Sequence, residues 1–286
     1  MGKPLRILMV TPFFSPNIGG VETHMDDLCA YLREGGHKIF VITYQPLTTK
    51  VRAPKFESKQ NLEIRRIRWF GYNLFHRLEP YFLLEFIYLT PMLLAYCLCF
   101  LLEHKNDVDV IHAHGLNAAF ITKFLAGLFR RRSVVSFHAI YHLDNKHLMA
   151  RLVSFIVSSF DVILALGKRC QKELVSAGIP AIKIRVYNHW VDQNIFKPLV
   201  KDDCKKELGL EGLFVVLFVG RLIKVKGVFL LVEAFSGLRS KIACVFAGDG
   251  PLKPAVLNAS NQQSSLVFAG RVETKNLVKY YNAADL

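Results

Sequence analysis

Residues 5–44 read LRILMVTPFFSPNIGGVETHMDDLCAYLREGGHKIFVITY, and this stretch decides the fold. Leu5–Thr11 is a continuous apolar run, suited to a parallel strand buried on both faces. Gly19-Gly20 opens a helix over Val21–Glu34, with Leu28, Tyr31 and Leu32 on one face, and Gly35-Gly36 stops it. HKIFVITY, residues 37–44, is the second strand. A strand, a glycine turn, a helix and a second strand make one unit of an α/β sheet.

The same unit recurs downstream. Glu63–Trp69 alternates and predicts a third, more exposed strand. Asp109–His114, Ser133–His138, Val162–Leu166 and Ile184–Asn188 predict further strands, with helices between them and one at Lys168–Ala177. Around Asn194–Lys206 the pattern loosens into a charged linker. It restarts with the apolar strand Leu213–Val219, a helix over Val228–Leu238, and strands at Ile242–Ala247 and Ser265–Phe268. The expectation is α/β with two doubly wound, Rossmann-like domains, 1–197 and 198–286. The last residues, YYNAADL, read as a helix running into a new strand. On that reading the second domain is incomplete and the chain a fragment.

Composition removes whole classes. With 52% hydrophobic and 21% charged residues the chain is neither disordered nor collagen-like. Its six cysteines show no C-x-x-C pair and no zinc spacing, which predicts a reduced protein without structural metal. The formal charge of +14 is spread over both halves, with local concentrations at Arg65, Arg66, Arg68 and Arg77 and at Arg130–Arg132. Nucleic acid, anionic membrane and phosphorylated ligands suit such a field, and so does a plain solvated basic surface. No nucleic-acid-binding motif is present, so nucleic acid is not expected as a partner. No secretory signal opens the chain. Phe86–Leu102 has 17 uncharged residues interrupted by Pro91, just short of a bilayer span. It reads first as a buried helix, then as a helix resting on a membrane surface, and last as a span.

Chemistry-bearing residues fall at strand ends, where open α/β sheets bind ligands. Gly19 and Gly20 in PNIGGVETH allow close approach of a ligand, and amides at a helix start attract phosphate. This is not the dinucleotide fingerprint, and Tyr44-Gln45 replaces the acid that would close it, so NAD is disfavoured. Arg221 and Lys226 in GRLIKVKG are two cations five residues apart that can embrace a diphosphate. His112 and His114 share a strand face. That spacing also suits a metal, but no third ligand lies near in sequence and none is expected. His114 and His138 can converge as polar groups for a hydroxylated ligand, while His112 reads equally as core. Gly248 and Gly250 in GDGP permit another close approach, or simply make a turn.

The series PNIGGVETH, GHKIFVITY, DVIHAHG, FVGRLIKVKG, FAGDGPL, FAGRV and YNAADL resembles glycosyltransferase family 4 along essentially the whole chain. The resemblance implies a GT-B fold, two Rossmann-like domains facing a cleft. It also implies transfer of a sugar from a UDP- or GDP-linked donor to an acceptor hydroxyl with retention of configuration, without metal or other cofactor. Carried over by position, Gly19, Gly20 and Glu22 belong to the loop near the donor diphosphate. Arg221 and Lys226 steady the leaving diphosphate, with Gly248 and Gly250 also on the substrate side. His114 or His138 contacts the transferred sugar or the acceptor. The family's Asn-Gly-Val-Asp is here Asn188-His189-Trp190-Val191-Asp192, and its usual Ser is replaced at Leu166-Gly167. The paired glutamates, Glu-x7-Glu, that follow YNAADL in the family are absent because the sequence ends at Leu286, so weak or no activity is expected of the chain alone.

PNIGGVETH is close to the form found in members acting on phosphatidylinositol and other lipids. With the basic, aromatic stretch Arg65–Arg77 (Trp69, Phe70, Tyr72, Phe75) and the apolar helix, it suggests a lipid or lipid-linked glycan acceptor. The expected place of work is the cytoplasm, peripheral on an anionic membrane surface. The rival from another class is a non-catalytic binder of nucleotide or sugar phosphate, which would keep the glycine loop and the basic pair.

Overall fold

The computed structural model describes residues 3–17, 19–71, 74–78, 80–139, 141, 147–235 and 241–286. The tail of the helix expected to reach Leu238, and Tyr72 of the aromatic stretch, lie outside the described residues. The chain divides into two compact units, Met1–His189 and Trp190–Leu286.

The first unit is an eight-stranded sheet, ordered β3-β4-β2-β1-β5-β6-β7-β8. Its strands are β1 (Arg6–Val10), β2 (Lys38–Tyr44), β3 (Phe56–Lys59), β4 (Leu62–Ile67), β5 (Val110–His114), β6 (Arg132–Phe137), β7 (Val162–Leu166) and β8 (Ile184–Tyr187). All pairs are parallel except β3 on β4. The unbroken apolar runs have a direct cause. Leu8, Val10, Phe40 and Ile42 point into one core, while Ile7, Met9, Ile39 and Val41 point into the core on the opposite face.

Helix α1 (Gly20–Glu34) covers the second of these cores. On the other face lie α3 (Phe82–Glu103), α4 (Leu116–Phe129) and α5 (His147–Val157), with α3 beside α4 and α4 beside α5. Short α2 (Leu74–Leu78) precedes α3, and α6 (Gly167–Ser176) follows β7.

Two expectations are corrected here. Glu63–Trp69 is not an exposed strand: β4 lies inside the sheet, between β2 and an unanticipated antiparallel edge, β3. The arginines at its end are committed to the fold rather than displayed. Arg66 is 4% exposed, ion-paired with Glu57, and donates to Pro54 O and Ser15 O at 3.1 and 2.9 Å. The Arg65 guanidinium lies 4.9 Å over the Phe100 ring.

α3 is buried on one side only. Its 22 residues are long and apolar enough to cross a membrane, yet Leu89, Leu93, Cys97 and Phe100 pack on the sheet. Pro91 sits inside it, and the structure shows how the helix tolerates the break. The Tyr44 hydroxyl donates to Leu89 O (2.7 Å) and accepts from Leu93 N–H (3.1 Å), the pair that would bond in an uninterrupted helix. Tyr44→Phe leaves both buried groups without this partner and should cost about 3 kcal/mol, read as a lower urea midpoint at unchanged slope. An unchanged midpoint would show that the hydroxyl is dispensable.

The second unit carries a parallel sheet ordered β11-β10-β9, from β9 (Phe214–Val219), β10 (Ile242–Ala247) and β11 (Leu266–Gly270). α8 (Val228–Phe235), α9 (Lys253–Gln262) and α10 (Thr274–Ala283) connect and cover it. The charged linker contains a helix the sequence reading missed, α7 (Lys201–Glu207), packed on α10. Asp285 anchors it by pairing with Lys201 (2.9 Å) and Lys205 (2.6 Å) and accepting from Val215 N. These bonds hold its carboxyl well below the usual range. Leu217 N donates to Leu286 O, so a strand contact follows α10 as expected.

Candidate functional site

The chain order of the first sheet reverses between β1 and β5, and ligands of doubly wound sheets bind beyond the strand ends at such a switch point. The Gly19–Gly20 turn follows β1, His114 ends β5, and His138 follows β6. Space is open around the Gly20 Cα, where an added methyl would meet nothing within 4 Å. At Gly19 that space is taken by the Glu22 carboxylate, which would lie 2.3 Å from an added Cβ. An acidic group thus stands in the first turn of α1, where the helix favours negative charge.

His114 and His138 do converge. Their rings stack at 8°, and His114 Nδ1 lies 3.0 Å from His138 Nε2. The other His138 nitrogen lies 2.9 Å from the Tyr187 hydroxyl at the end of β8. A proton on one of the paired ring nitrogens makes this chain continuous from Tyr187 to His114. At its far end His114 Nε2 is buried with no partner among the described residues. His112 lies beneath, bonded to Ser136 Oγ at 2.8 Å, as the core reading allowed.

Three members of this cluster were not selected from sequence. His24, on α1, stacks on His189 with centroids 4.3 Å apart, and Tyr187 holds His138. His189 carries a signal in retrospect, because it stands at the departure from Asn-Gly-Val-Asp. Ring nitrogens of His24, His138 and His189 come within 4.8 Å of one another, the one grouping of possible metal ligands among the described residues. Both His138 nitrogens are already engaged, by His114 and by Tyr187.

Burial makes the cluster electrically neutral. It lowers His24 to about 4 and His112 and His138 to about 3, and holds His114 well below its ordinary value. Mutual repulsion among the rings acts in the same direction. At neutral pH each ring therefore offers one donor and one acceptor, the equipment that grips a sugar hydroxyl.

The remaining selected residues form a second group, within the second unit. Arg221 and Lys226 lie between β9 and α8, and Lys226 ends a single 3-10 turn closed by Gly227 in the left-handed region (φ 72°). The close approach at Gly248 and Gly250 is to this same segment. A Cβ on Gly248 would stand 1.9 Å from Gly220 O, and one on Gly250 would stand 2.7 Å from Leu222 O. Leu222 N donates to Asp249 O and Leu252 N to Leu222 O, locking the two loops together.

Residues 18–194 match the family model described as Glycosyltransferase Family 4, and residues 214–286 match Glycosyl transferases group 1. The chain belongs to glycosyltransferase family 4. Among relatives of this family 4 protein is the GPI3 subunit of phosphatidylinositol N-acetylglucosaminyltransferase from Saccharomyces cerevisiae. It is 24% identical over 255 residues, covering 86% of this chain and 53% of that one. Alpha-monoglucosyldiacylglycerol synthase from Streptococcus pneumoniae is 23% identical over 307 residues, covering 98% and 65%. The family 4 chain thus spans between half and two thirds of these relatives' length. Among solved structures, Anabaena HepE in complex with UDP-glucose superposes with a TM-score of 0.70 at 16% identity, over 98% of this chain and 72% of that one. Sucrose-phosphate synthase from Thermosynechococcus elongatus reaches 0.73 at 16% identity, over 98% and 74%. These likenesses show the fold, which is GT-B.

Proposed function

We propose that this family 4 chain moves a sugar from a UDP- or GDP-linked donor to a hydroxyl of a lipid or lipid-linked glycan. The transfer retains anomeric configuration, needs no metal, and takes place on the cytoplasmic face of a membrane. The observation that carries the reading is the part-buried, neutral Tyr187–His138–His114 chain at the switch point, next to the glycine turn. The lipid acceptor is supported by the lipid substrates named for the yeast and pneumococcal relatives. The nucleotide donor is supported by the neighbour solved with UDP-glucose.

In this reading the donor's anomeric carbon–oxygen bond breaks as the acceptor oxygen bonds to the same face. The acceptor proton passes to the departing diphosphate oxygen. Arg221 and Lys226 neutralise the charge that builds on that group. His114 Nε2, the open end of the chain, holds a sugar or acceptor hydroxyl while His138 and Tyr187 orient its ring. Being neutral, the imidazoles do not oppose the positive charge that develops on the sugar ring.

The test is titration of the chain with UDP- and GDP-sugars, followed by labelled sugar transfer to a lipid extract with the product anomer assigned by NMR. Arg221→Ala with Lys226→Ala should weaken nucleotide binding about 100-fold or more. Failure to bind either nucleotide, or an inverted product, would overturn the reading.

A further inference from the structure

The outward residues of α3, α4 and α5 share one surface, because the three helices lie side by side on one face of the sheet. On α3, every exposed residue from Leu83 to Leu102 is uncharged, with Leu84, Ile87 and Leu102 more than half exposed. The stripe runs along a helix about 33 Å long. α4 adds Leu128 (68% exposed), and α5 adds Leu148 and Phe155. An apolar surface of this extent marks a site of association.

Between Glu85 and Glu103, which bracket the α3 stripe, the charged side chains of this face are cationic. α4 and α5 contain no acidic residue, and α3 has none between Glu85 and Glu103. Arg151 is exposed on the α5 stripe between Leu148 and Phe155, at helical spacing from both. Lys123 reaches across from α4 to donate to Phe155 O (2.7 Å) and lies 4.3 Å over its ring. Arg130 follows α4 directly. A second copy would set these cations against their own kind. A lipid surface accepts apolar side chains without directional bonds and, when anionic, attracts the cations.

We infer that the α3–α4–α5 face docks the first unit on an anionic lipid surface, apolar residues in the acyl boundary and Lys123, Arg130 and Arg151 among the headgroups. This deepens the proposed function and rests on its lipid acceptor. It also moves the basic contact away from Arg65 and Arg66, whose guanidiniums serve the fold.

The test is co-sedimentation of the 286-residue chain with vesicles of phosphatidylcholine alone and of phosphatidylcholine with phosphatidylglycerol. Binding should need phosphatidylglycerol and weaken with salt. Leu84→Glu with Ile87→Glu, and separately Arg151→Glu, should each lower it about tenfold or more. Circular dichroism and UDP or GDP affinity should stay unchanged, which shows the variants folded. Wild-type binding by either variant overturns the inference. So does a wild-type dimer that Leu84→Glu with Ile87→Glu splits without altering vesicle binding. Sugar transfer to lipid in detergent without vesicle binding overturns docking alone. Vesicle binding with sugar transfer only to water-soluble acceptors leaves docking standing and removes the lipid acceptor.

Discussion

Acidification from pH 7 to pH 5 should lower the melting temperature by roughly 15 °C, far more than surface charges would produce. The cause is the histidine cluster. His24, His112 and His138 stay neutral in the folded chain down to about 4, 3 and 3, whereas an unfolded chain protonates its histidines near 6.5. Because the folded values are lowered, the contribution is complete above 6.5 and drains away as the pH falls toward them. Each such histidine removes about 1.4 kcal/mol per pH unit within that window, so three remove up to about 6 kcal/mol by pH 5. That is comparable to the whole margin of an ordinary domain. Thermal melts at half-unit intervals check it, and His112→Gln with His138→Gln should flatten the slope. A melting temperature that stays level from pH 7 to 5.5 would mean that the cluster does not hold its neutral state.

Gly248→Ala should destabilise the second unit by about 3 kcal/mol and lower nucleotide affinity with it. The added methyl would fall 1.9 Å from the Gly220 carbonyl oxygen, a backbone atom held by the bond from Gly220 N to Ala247 O. Relief requires the two loops to part, and the loop that moves carries Arg221. Gly212→Ala supplies the control. Its φ is 69° but no atom lies within 4 Å of the new methyl, so it should cost only about 1 kcal/mol. Differential scanning calorimetry and UDP titration of the two variants decide the matter. Equal stability would show that the Gly248 contact yields easily.

Much of the fold was readable because each buried strand feeds two cores. Residues 7–10 and 39–42 must then be apolar at every position, a signal that survives without knowledge of neighbours. β3 gave no such signal. FESK is a charged edge of four residues that exists because β4 lies beside it and Glu57 meets the buried Arg66. α7 was hidden for a similar reason: KDDCKKE is too short to hold its own helix and relies on α10 and Asp285. At the site, His114 and His138 could be chosen from their places at strand ends. Tyr187 lies 49 residues from His138, and only the order of β6, β7 and β8 brings them together. The reading of Arg65 and Arg66 as displayed charge failed because a count of cations carries no information about burial.

Asn17 and Arg66 give the glycine turn a further property. Asn17, 4% exposed, bonds Phe14 O through its amide and takes bonds from Leu47 N, Thr48 N and the Thr48 hydroxyl. Arg66 meanwhile ties Ser15 to β4. The segment that leads to Gly19 and Gly20 is therefore braced at Ser15 and Asn17 before any ligand arrives. A ligand seated at this turn meets a surface whose conformational freedom was already surrendered during folding, so little ordering entropy opposes its capture.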